Sequence, residues 1–177
     1  MQLKERFPDT VTIRHDVPFP ETLWPDRPAL SAKPIYRLAE CFTGKSTVTK
    51  LTEVRESLKK IRPDALYKNG TSERFVKNTD HTAEVYLLTC LDEIAWLFNL
   101  RGNDVENNPV FLSYAMITDT KAFLYVNETS LDDATRKLLS DEGVIVRPYD
   151  SVYEDVTKLR ACPVLLDAKR VNCALVQ

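Results

Sequence analysis

The sequence has 177 residues, 44% hydrophobic and 28% charged, enough for one globular domain with a buried core and cramped for two. A net charge of -2 supplies no positive field to hold a phosphate backbone or an anionic membrane surface, so nucleic acid and membrane partners are not expected. Apolar runs fall far short of the roughly 20 residues of a membrane-spanning helix, residues 1–20 lack the apolar block of a secretory signal, and Cys41, Cys90, Cys162 and Cys173 include no CxxC pair, which fits a reducing compartment.

Residues 1–34 hold six of the ten prolines and no apolar period, the pattern of a linker or arm from a preceding domain. Over residues 46–61, Val48, Leu51, Val54 or Arg55, Leu58 and Ile61 recur three or four apart, which predicts a helix with one core-facing stripe. Thr43 or Ser46 would cap its start and Pro63 close it. Residues 64–67 begin like a strand, whereas 68–82 are polar, contain Asn69-Gly70 and read as an exposed excursion. Residues 84–89 suit a buried strand. Residues 89–99 then turn helical, with Leu91, Ile94, Ala95 and Phe98 on one side and Asp92 and Glu93 in the first turn, where the helix dipole favours negative charge.

Two apolar runs, 110–118 and 121–126, are separated by Asp119-Thr120, a hairpin signal that implies an antiparallel pair. Ser130 is the expected cap of a helix over 131–140, with Asp133 three residues on and Gly143 just past its end. A short strand at 144–146, a helix capped by Asp150 with Val152, Val156 and Leu159 on one face, and a final strand at 163–166 complete the series. The elements sum to an α/β fold: a mixed β-sheet flanked by helices.

Chemistry-bearing groups are sparse. His15 and His81 have no carboxylate or cysteine at a ligand spacing, so no metal site is expected from them. Asp92 and Glu93 are neighbours on a helix and diverge by about 100°. Residues 39–46, AECFTGKS, match a relaxed phosphate-binding pattern, with Val164-Leu165-Leu166-Asp167 as the matching strand and magnesium-binding aspartate. Against nucleotide binding, Lys33, Pro34 and Arg37 interrupt the strand that should precede the loop, and Glu-Cys-Phe-Thr is too bulky for a phosphate cradle. No serine lies in a GxSxG elbow, and Cys90 reads as a buried structural thiol. Trp96 and Phe98 read as core. Residues 99–109, NLRGNDVENNP, form a polar, asparagine-rich loop of the kind that carries contacts on a rigid scaffold.

The block LDEIAWLFNLRGNDVENNPVFLSYAMIT closely resembles the signature of the middle domain of aminopeptidase P, the Xaa-Pro aminopeptidase family of metallopeptidases. Trp24-Pro25-Asp26-Arg27-Pro28 and Lys33-Pro34 resemble that family's link between its first and second domains, and Arg147-Pro148-Tyr149 with the strand that follows keeps the family's order. Residues 68–84 depart from the pattern. The resemblance implies a creatinase/prolidase N-terminal domain-like fold with ribonuclease H-like topology over residues 35–167, with 168–177 opening a connection to a catalytic domain. It further implies a cytoplasmic hydrolase that removes the N-terminal residue preceding proline, with two divalent metal ions, manganese in most members, held in that catalytic domain. No catalytic residue and no metal ligand then falls in this chain, which should be inactive alone. Its partners would be the first and catalytic domains of the same polypeptide, proline-containing peptides in the full enzyme, and a second copy in a homodimer. Arg101, Asp104, Asn108, Pro109 and Phe111 would lie on a loop facing substrate or the neighbouring domain. The competing readings are a stand-alone peptide or protein binding module using residues 99–109, and a nucleotide-binding protein using residues 39–46.

Overall fold

The computed structural model describes residues 8, 10–12, 23–61, 84–159, 162–167 and 169–175. His15, Pro63, the strand start at 64–67, the excursion at 68–82 and His81 lie outside the described residues.

The elements run β1 (Tyr36–Arg37), α1 (Glu40–Thr43), α2 (Thr47–Leu58), β2 (Val85–Leu88), α3 (Leu91–Leu97), β3 (Leu100–Arg101), β4 (Ser113–Thr118) and β5 (Ala122–Val126). A 3-10 turn (Glu128–Ser130) leads to α4 (Asp133–Asp141), β6 (Val144–Pro148), α5 (Ser151–Thr157), β7 (Val164–Leu165) and a last 3-10 turn (Cys173–Leu175). Five strands form one mixed sheet in the order β6-β5-β4-β2-β7, and β1 pairs with β3 in a separate two-stranded sheet. The pairs β2–β4 and β4–β5 are antiparallel, while β5–β6 and β2–β7 are parallel.

Side-chain alternation along the strands explains the two-faced core. Leu88, Ala115, Ile117, Ala122, Leu124 and Val126 point to one face and meet Leu51 of α2, Ile94 and Leu97 of α3 and Leu139 of α4. Val85, Leu87, Met116 and Tyr125 point to the other and meet Val152 of α5 and Leu175. The fold is therefore α/β, a mixed sheet flanked by helices, as the alternation of periods predicts. The hairpin forms where expected, with Ile117 opposite Ala122 and the Thr118 N–H bonded to Lys121 O across Asp119-Thr120.

Four local expectations change. In α2, Leu51 and Leu58 are buried as expected, but Val48 is 49% exposed and Thr47 and Lys50 complete the buried face. Lys50 can occupy that face because its ammonium meets acceptors inside, Trp96 O and Asn99 Oδ1. Ser46 is the cap, accepting from the Thr49 N–H at 3.1 Å. Ser130 does not cap α4, because the chain first makes a 3-10 turn; Asp132 does, accepting from the Thr135 N–H at 2.7 Å. That bond holds the Asp132 carboxyl below its usual value. Asp150 occupies the cap position of α5 with helical backbone angles, so its side chain makes no capping bond. Finally, Trp96 is not core but 48% exposed, because it faces outward from α3, whereas Phe98 is fully buried. Gly143 ends α4 at φ 76°, the left-handed value that favours glycine.

Candidate interdomain site

The sequence block that carries the resemblance folds into a helix, a two-stranded corner and a projecting prong. At the C-terminal end of α3, where backbone carbonyls run out of helical partners and the dipole favours positive charge, three cations from three elements gather on the carbonyls of Ala95, Trp96 and the capping Phe98. Lys50 Nζ donates to Trp96 O at 2.8 Å, Arg101 Nη1 to Ala95 O at 2.8 Å, and Arg37 Nη1 to Phe98 O at 3.2 Å. Asn99 follows at φ 54°, left-handed and fully buried. Its Oδ1 accepts from Lys50 Nζ at 2.6 Å and its Nδ2 donates to Lys45 O at 2.8 Å. Lys50 is 1% exposed, bonds no carboxylate among the described residues, and stands 4.3 Å over the Trp96 ring. Burial lowers its pKa, and the charges of Arg101, Arg37 and Lys45 lower it further.

Beyond this corner residues 99–109 are not one open loop. Leu100 and Arg101 pair with Arg37 and Tyr36 as β3. Gly102 N–H then bonds Pro109 O, Asp104 N–H bonds Val110 O, and Val105 bridges Asn108, so residues 102–110 close into a hairpin-like prong. Asn107 turns its tip at φ 59°. Gly102 is required at the root: a β-carbon there would lie 2.7 Å from Phe111 Cβ.

The expected site residues are thus divided by position. Asn108 and Pro109 are exposed on the prong, beside Glu106 and Asn107. Asp104 is at its root, taking the Ser31 hydroxyl on Oδ1 at 2.5 Å and the Leu112 N–H on Oδ2 at 2.8 Å. Arg101 turns back onto α3, and Phe111 is fully buried in the main core. Arg101 and Phe111 therefore support the prong from beneath, while Asn108 and Pro109 are presented by it. Sequence reasoning missed Lys50, Asn99, Ser31 and the Arg37–Glu142 pair, whose Nη2···Oε1 distance is 2.5 Å. A signal existed for Asn99, since asparagine directly after a helix end tolerates the left-handed cap.

The other candidates have structural partners. Residues 39–46 form a single helical turn, a left-handed Gly44 and the cap of α2, with Lys45 Nζ on Glu53 Oε1 at 2.6 Å. Asp167 Oδ1 accepts from the Lys169 N–H at 2.9 Å. Cys90 is buried, and its Sγ accepts from Arg170 Nη1 at 2.8 Å. Among the described residues no group of three or more His, Cys, Asp or Glu gathers to hold a metal ion, so no chemical step is assigned to a metal held by them. No described helix is long and apolar enough to cross a membrane.

A mixed sheet with helices on both faces and a braced prong defines a domain class, and residues 26–177 match the model for it: the chain belongs to the creatinase/prolidase N-terminal domain family. Its relatives are specific. It is 41% identical over 134 residues to the probable Xaa-Pro aminopeptidase P of Chaetomium globosum, a match covering 76% of this chain and 18% of that protein. It is likewise 41% identical over 150 residues to the probable Xaa-Pro aminopeptidase P of Colletotrichum graminicola, covering 82% and 21%. A crystal structure of X-prolyl aminopeptidase from Caenorhabditis elegans, described as a cytosolic enzyme with a di-nuclear active site, matches with a TM-score of 0.63 at 27% identity over 80% of this chain and 20% of that one. The chain spans about a fifth of the length of these relatives.

Proposed function

We propose that this chain is the non-catalytic middle domain of a metal-dependent Xaa-Pro aminopeptidase, and that its prong packs on the catalytic domain of the same polypeptide and shapes access to it. The supporting observation is the prong: residues 105–109 are exposed as a group, yet their root is tied by Asp104, Gly102 and buried Phe111. A solvent-facing projection with a tied root is suited to docking, because little conformational freedom has to be lost when it binds. The unit is residues 35–167, with 1–34 as an arm and 168–177 opening the connection onward after Leu175 has packed on the second face of the sheet. Peptide cleavage before proline, a pair of divalent metal ions with manganese as the expected choice, a cytoplasmic site of action and a homodimer belong to the full enzyme.

In this reading the chain contributes geometry: Asn108 and Pro109 border the entry path, and no proton is moved by them. Replacing both Asn108 and Pro109 with alanine in the full polypeptide is expected to lower kcat/KM for an Arg-Pro-Pro peptide by about tenfold, since a small misplacement at a distance from the reacting atoms is costly. Bound metal per polypeptide should stay unchanged. A kcat/KM equal to that of the parent would refute a role for the prong in access.

A further inference from the structure

The arm before β1 is composed like a free linker, yet one of its residues is bonded on two sides. The Ser31 hydroxyl donates to Asp104 Oδ1 at 2.5 Å, and its carbonyl accepts from Asn127 Nδ2 at 3.0 Å. Two residues later, Lys33 Nζ donates to Asn103 O at 2.8 Å. On the other side of the same carboxylate, Asp104 Oδ2 takes the Leu112 N–H. The Asp104 carboxylate thus has one oxygen on the arm and the other on the lead-in to β4, with the prong between them.

We infer that residues 27–34 are a strap that sets the attitude of the prong, with Asp104 as the positioning residue through which the arm acts. Pro28 and Pro34 flank the contact, and their fixed φ angles leave the strap little slack in which to absorb a displacement. A pull on the arm is therefore passed to Ser31, then to the Asp104 carboxylate, and then to the prong root. Ile35, directly after the strap, is buried and anchored by its N–H to Ser130 O at 2.8 Å, so the downstream end of the strap is fixed to the main core. The presentation of Asn108 and Pro109 then depends on whether the arm is seated. That this gates contact with a catalytic domain rests on the function proposed above; the coupling itself does not.

Amide hydrogen exchange on the 177-residue chain tests the coupling. Ser31→Ala should speed exchange at the Asp104 and Leu112 amides by about tenfold while leaving Ile117 and Leu124 in the central strands at their original rates. Ser31→Thr, which keeps the hydroxyl, should retain the protection, and Lys33→Ala should reproduce part of the loss. Unchanged exchange at Asp104 and Leu112 in Ser31→Ala would overturn the strap. So would equal acceleration at Leu124, which would mark a general loss of stability. Loosened prong amides without any change in peptide turnover by the full polypeptide would count against the proposed function and leave the strap standing.

Discussion

Asn99→Ala is expected to destabilise the fold by about 3 kcal/mol, read from urea unfolding followed by tryptophan fluorescence. Three costs combine. The substitution removes the Oδ1 that accepts from Lys50 at 2.6 Å, removes the Nδ2 bond to Lys45 O, and places alanine at a φ of 54°. The first is the heaviest, because a buried ammonium whose partners among the described residues are a carbonyl, an amide oxygen and a ring cannot lose one without a desolvation cost. A pH signature distinguishes this cause from simple loss of packing. Lys50 has its pKa lowered in the fold by burial and by Arg101, Arg37 and Lys45, so between that lowered value and 10.5 the unfolded chain binds the proton more tightly. Stability from this residue therefore rises with pH across that window, and below the window its cost is constant. Asn99→Ala should extend the rise to lower pH. Lys50→Met should abolish it, and the double variant should lose less stability than the two single losses added.

Phe111→Ala should cost about 3–5 kcal/mol, the ordinary penalty for emptying an aromatic site that cannot collapse. Phe111 is fully buried in the main core, and the prong root at Gly102 is built against its β-carbon. The loss should appear as a lower urea midpoint with an unchanged denaturant slope, the signature of reduced stability without a change in unfolded compactness. A cost under 1 kcal/mol would show that Phe111 contributes little to the core.

Both predictions concern residues within or beside the block that made the family recognisable, and only one of the two was visible in the sequence as a candidate. The resemblance puts Phe111 on a loop facing a neighbour, whereas the side chain lies in the main core, where the apolar run 110–118 enters the sheet just before pairing begins at Ser113. The sheet and its helices were legible because periods of two and of three to four residues report burial directly, as in β2, β5 and α3. Lys50 was not, since a lysine within a helical stripe reads as solvent-facing unless the acceptors it meets 46 and 49 residues away are known. Ser31 was hidden for the same reason: a proline-rich stretch suggests a linker, and its bond to Asp104 spans 73 residues. Caps were readable to within one or two residues. Ser46 was one of two candidates, while the turn at 128–130 moved the cap of α4 from Ser130 to Asp132.

The proposed division of labour, a non-catalytic domain here and a catalytic one elsewhere in the full polypeptide, is open to direct assay. The 177-residue chain and the full polypeptide would each be incubated with manganese and an Arg-Pro-Pro peptide, and release of free arginine followed over time. The predicted result is arginine release by the full polypeptide and none by the 177-residue chain above the buffer control. Comparable turnover by the 177-residue chain would contradict its assignment as a non-catalytic domain.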